Sequence, residues 1–138
     1  MKLKSILVIG DTLTLLIITV IGFTTHGEFD ISFLPRMAAT YIPLLIGWFL
    51  IAHYFGLLTP TPSVPRFAGH IPRFGGGWVE VITAGIAMLF AGPLAVVLRG
   101  LILNAPIIPI FAVVLSATSA LGLMIWRMVY FLLDRKAR

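Results

Sequence analysis

The sequence predicts an all-α membrane protein of four transmembrane helices. Three observations predict it. The chain has 138 residues, of which 59% are hydrophobic and only 11% charged, under half the roughly 25% usual in soluble domains. Its mean hydropathy is +1.07, so water cannot solvate most of its surface. Its apolar runs fall into four blocks, each long enough at about 1.5 Å per residue to cross a hydrocarbon core of roughly 30 Å. One membrane domain spans residues 1–138, with no room for a soluble one.

Helix one is expected over about 5–24. Lys2 and Lys4 precede it as they would in a signal peptide. Asp11 interrupts the apolar run, however, and no small-x-small cleavage site follows before Thr24-Thr25-His26-Gly27-Glu28, so the segment is read as retained. A short polar loop to Pro35 carries His26, Glu28 and Asp30, with Arg36 just beyond. Helix two is expected over about 37–58, with Pro43 bending it and Trp48 near its middle. Residues 59–77 form the longest polar connection, rich in Pro and Gly, with Pro65-Arg66-Phe67 and Pro72-Arg73-Phe74 seven residues apart. Each tripeptide suits an aromatic and an arginine at the headgroup level, or a plain solvated loop. Helix three is expected over about 78–103, bent at Pro93. Asn104-Ala105-Pro106 then turns into helix four, over about 107–133. The helices are expected as two antiparallel hairpins.

Charge sets the expected orientation. With the N-terminus inside, Lys2, Lys4, Arg66, Arg73, Arg135, Lys136 and Arg138 all lie on the cytoplasmic side, seven of the ten basic residues. Both termini and the loop 59–77 are therefore expected in the cytoplasm, and the protein in a prokaryotic cytoplasmic membrane as a multi-pass chain. The net charge of +5 belongs to these flanks. No basic run with interleaved aromatics suggests nucleic acid. With no cysteine, thiolate metal sites and disulfides are excluded.

Depth picks out the candidate functional residues. Asp11 lies about six residues, or roughly 9 Å, inside helix one. Arg127 lies at a similar distance from the cytoplasmic end of helix four. An unpaired charge there costs at least about 2.5–3.5 kcal/mol, so the two are expected to pair. His53 at comparable depth and Glu80 just below complete the expected intramembrane polar cluster. It reads either as a clasp between helices one and four or as a relay facing a cavity. A second polar cluster is expected at the outer end: His26, Glu28, Asp30 and Arg99, with Arg99 snorkelling or pairing with Glu28 or Asp30. The spacing of these groups matches no metal motif, and no metal or cofactor is expected. Ala87, Ala91 and Ala95 on helix three, and Ala112, Ser116 and Ala120 on helix four, form small-residue stripes that let backbones approach closely. Trp48 at mid-membrane needs a partner for its indole N–H. Trp126, adjacent to Arg127, is expected to face lipid or a neighbour.

No P-loop, G-x-S-x-G or H-E-x-x-H motif is present. Gly75-Gly76-Gly77 before helix three is read as a flexible joint rather than an anion cradle.

Several segments resemble a family of small bacterial and archaeal membrane proteins, the domain-of-unknown-function family 3054. They are Gly10-Asp11 with Gly22 and His26-Gly27; Pro43-Leu44-Leu45-Ile46-Gly47-Trp48; Gly92-Pro93-Leu94 through Leu98-Arg99; and Trp126-Arg127. Phe23 departs from the pattern, which has a basic residue after the glycine. The resemblance implies a four-helix integral membrane protein and no established activity. The expected role is non-enzymatic, through a membrane partner or a homo-oligomer. A small transporter or channel using the Asp/His/Arg relay is the alternative, and an enzyme acting on a lipid or isoprenoid a weaker third.

Overall fold

A computed structural model describes residues 2–28, 30–58 and 76–137. It contains four long α-helices: α1 Lys2–Thr25, α2 Leu34–Tyr54, α3 Gly76–Leu103 and α4 Pro109–Ala137, with a 3-10 turn Ile31–Phe33 leading into α2. All four are long and apolar enough to cross a membrane. The connection 59–75, with both Pro-Arg-Phe tripeptides and Gly75, lies outside the described residues.

The helix ends explain where sequence and structure differ. α2 stops at Tyr54 rather than near Leu58 because Gly56 takes φ +73°. With the helix turned left-handed there, Gly56 N–H donates to the His53 carbonyl and Leu57 N–H to that of Ala52, closing orphan carbonyls in a Schellman motif. Gly27 at φ +74° closes α1 in the same way. Asn104 does so for α3 at φ 47°, with Ala105 N–H on the Gly100 carbonyl. α4 begins at Pro109, two residues later than expected, where the first helical position loses nothing by lacking an N–H. The Asp30 side chain accepts from the Ile31 N–H at 2.7 Å and caps the 3-10 turn. α2 and α3 stay helical through Pro43 and Pro93.

The helices form a four-membered ring. Each packs on its chain neighbours and α1 against α4 closes the circle; among the described residues the diagonal helix backbones stay apart, and the α2–α4 diagonal is bridged by side chains, Trp48 against Arg127. α3 is the most enclosed: half of its most apolar window is buried, against 22% for α1 and for α4. The reason is visible in its small residues. Ala84, Ala87, Ala91 and Ala95 are all buried, and a Cβ on Gly47 of α2 would stand 2.9 Å from the Ala91 carbonyl oxygen. Only glycine allows that approach. Ala91 and Ala95 of the α3 stripe thus lie on the seam with α2. α4 reaches α3 with Ser116, which packs against Gly92. Leu15, Leu44, Trp48, Met88 and Leu123 fill the centre of the ring, while Ile9, Leu13 and Ile17 of α1 and Ile110, Val113 and Leu121 of α4 point outward, as suits a lipid-facing surface.

Candidate functional site

Two polar centres stand out. The first lies within the spans. Arg127 of α4 meets Asp11 of α1 through two bonds, Nη2 to Oδ2 at 2.6 Å and Nε to Oδ1 at 3.3 Å. Both side chains are buried, at 2% and 0% exposure. Trp48 of α2 joins them, its indole N–H donating to Asp11 Oδ2 at 3.2 Å. The Trp48 ring lies under the guanidinium, 5.5 Å from centroid to Cζ, within cation–π range. The carboxylate thus holds three helices together. Next to it the Tyr41 hydroxyl donates to the Thr12 carbonyl at 3.1 Å, a further link from α2 to α1.

Sequence depth brings Asp11 and Arg127 together, and the structure does the same. It does not bring His53 or Glu80 to them. His53 is exposed. It follows Trp48 by five residues, which turns it about 140° away around the helix. Glu80 is exposed as well, one turn from the start of α3, where a charged side chain reaches polar surroundings without being buried. The third member is Trp48, whose signal was an indole at mid-span in need of an acceptor. Trp126 packs over Gly10 of α1, where a Cβ would strike its ring, so of the two expected surroundings, lipid or a neighbour, it has a neighbouring helix. Its Nε1 and the Nη1 of Arg127 are buried with no hydrogen-bond partner among the described residues.

The second centre is a cavity of about 440 Å³ at the end of the bundle where α1 terminates. Its sides come from α1 and α4, through Ile18, Gly22, Val114 and Leu115; its polar end comes from Thr40 of α2 and Arg99 of α3, with His26 and Glu28 of the connecting loop. Arg99 pairs with neither Glu28 nor Asp30. Its Nε donates to Thr40 Oγ1 at 2.9 Å, and its guanidinium lies 4.9 Å from the Phe111 ring centroid. Glu28 is held by Arg36 instead, at 3.4 Å. Asp30 faces its own turn, accepting from Ile31 and from Ser32 Oγ. Three of the four residues expected at this end therefore share a cavity and the fourth is a cap. Among the described residues no three His, Asp or Glu side chains converge as metal ligands would.

The geometry of a ring closed by a buried Asp–Arg pair can be set beside known families. A family model described as "Protein of unknown function (DUF3054)" matches residues 8–130. The chain belongs to that family. The match takes in Asp11, Trp48, Arg99 and Arg127, so both polar centres lie inside the DUF3054 region. Comparison with curated proteins and with solved structures finds no match.

Proposed function

We propose that this DUF3054 protein is a non-catalytic component of a prokaryotic cytoplasmic membrane that acts through contacts with a second copy of itself or with another membrane protein. Its helices run as two antiparallel hairpins with both termini inside. The observation that carries this reading is the closure of the Asp11–Trp48–Arg127 cluster. A relay needs a charged group that can exchange protons with a path. Here both carboxylate oxygens are engaged, by Arg127 at each and by Trp48 at one of them, and the pair is sealed on all sides. Such a group fastens helices. Activity is then assigned to the outer faces, and α1 and α4 leave most of their length unburied. Interfaces between membrane helices form by close packing of such surfaces rather than by hydrophobic drive.

Native mass spectrometry of the protein after gentle extraction from its own membrane tests the reading. A homo-oligomer or a defined complex is expected. A bare monomer at every detergent concentration overturns it. The relay alternative draws on the two partnerless donors beside the carboxylate; Asp11→Asn in liposomes should abolish proton-coupled flux if that alternative holds, and unchanged flux removes it.

A further inference from the structure

We infer that the cavity between α1 and α4 binds an anionic lipid of the membrane, its acyl chain along the apolar walls and its phosphate or carboxylate on Arg99. The inference is independent of the oligomer reading. Three observations carry it. The first is form: about 440 Å³ of space lined largely by apolar side chains, with polar groups gathered at one end, falls within the roughly 300–1,000 Å³ of small-molecule sites.

The second is charge. Arg99 is half-buried at the end of a membrane span, and among the described residues no carboxylate lies within ion-pair distance of it. Glu28, the carboxylate on this cavity, is already held by Arg36. An arginine inside a span whose neighbouring carboxylate, Glu28, stands beyond ion-pair distance is costly, and an anion offsets that cost.

The third is donor geometry. The threonine hydroxyls around the cavity spend their hydrogens on their own helices: Thr19 on the Leu15 carbonyl, Thr25 on Gly22, Thr118 on Val114 and Thr40 on Arg36. The donors left to a ligand are the imidazole of His26, on the same lining, and the two terminal nitrogens of Arg99. Thr40 on its Nε and Phe111 against its face fix the guanidinium plane. A held fork of this kind recognises a planar or tetrahedral oxyanion through two parallel bonds. The neighbouring apolar walls select a head that carries a chain.

The test titrates the full chain in a neutral detergent with lysophosphatidate, with lysophosphatidylcholine of the same acyl chain and with inorganic phosphate, read by native mass spectrometry. One lysophosphatidate per chain is expected, bound at least about tenfold more tightly than lysophosphatidylcholine, a difference of about 1.4 kcal/mol. Inorganic phosphate is expected to bind far more weakly than either lipid. Arg99→Gln should abolish the preference for lysophosphatidate, whereas Arg135→Gln, near the far end of α4 from the cavity, should keep it. Val114→Trp, which fills the cavity from α4, should remove stoichiometric binding of both lipids. Equal binding of the two lipids by the unaltered protein overturns the inference, and that comparison stands even where a variant fails to fold. A preference that survives Arg99→Gln, or phosphate binding as tight as lysophosphatidate, overturns it too.

Discussion

Replacing Arg127 by Met tests whether the buried pair is a fastener. The guanidinium and carboxylate approach to 2.6 Å, which at an effective dielectric near 20 corresponds to an attraction of about 6 kcal/mol. Burying both ions costs several kcal/mol apiece, so the pair as a whole is close to neutral against an apolar pair of similar volume. Removing one partner is different, because the other is left charged and buried. Arg127→Met and Asp11→Leu are each expected to cost about 3–5 kcal/mol. The double variant Asp11→Leu/Arg127→Met should cost less than either single, leaving about 1 kcal/mol for the stranded indole N–H of Trp48. The assay is reversible unfolding in mixed micelles of increasing SDS fraction, followed by circular dichroism. A coupling energy of at least about 3 kcal/mol is expected from the cycle. Single-variant costs that simply add, or singles below about 1 kcal/mol, would refute the fastener.

Two further predictions concern the architecture. Gly47→Ala puts a methyl 2.9 Å from the Ala91 carbonyl, and because the obstacle is backbone, α2 and α3 must part; a loss of about 1–3 kcal/mol in the same assay is expected, and an unchanged midpoint would contradict the close seam. The chain has no cysteine, so single cysteines report topology directly: with both termini inside, Ser63→Cys should react with an impermeant maleimide only in inverted vesicles and Ser32→Cys only in right-side-out ones, and the opposite pattern would reverse the proposed orientation.

Much of the architecture was legible because membrane spans are set by length and composition, which the sequence states outright. The four helices and the meeting of Asp11 with Arg127 followed from those two quantities and from the cost of an unpaired charge. What depth could not supply was angle. His53 lies about 7.5 Å beyond Trp48 along α2 and on another side of it. The run of buried residues Ala39, Thr40, Pro43, Leu44, Gly47, Trp48 and Ala52 marks the inward face, and His53 falls outside it. Read as a helical stripe, those residues would have nominated Trp48 and excluded His53. At the other end, composition brought His26, Glu28, Asp30 and Arg99 to one region. The competition among them depended on Arg36, Thr40 and Phe111, three groups whose proximity arises only once α2, α3 and α4 pack. The ends of α1 and α2 were readable in principle, since a glycine following an apolar helix is a stop signal. Gly27 and Gly56 act as such stops, but at Gly56 the apolar residues Leu57 and Leu58 masked it.

The pair also imposes an order on biogenesis. Asp11 and Arg127 are 116 residues apart in the chain, and at about 5–20 residues per second a ribosome takes roughly 6–23 s to deliver the second after the first. Over that interval the first helix carries a carboxylate whose guanidinium has not yet been made. Its place in the bilayer must be held by the insertion machinery, by a proton on the carboxylate, or by waiting at the interface. Closure of the ring therefore waits until α4 has been made. A chain truncated before Arg127 would leave Asp11 without its counter-ion, a charge that costs at least about 2.5–3.5 kcal/mol inside the bilayer.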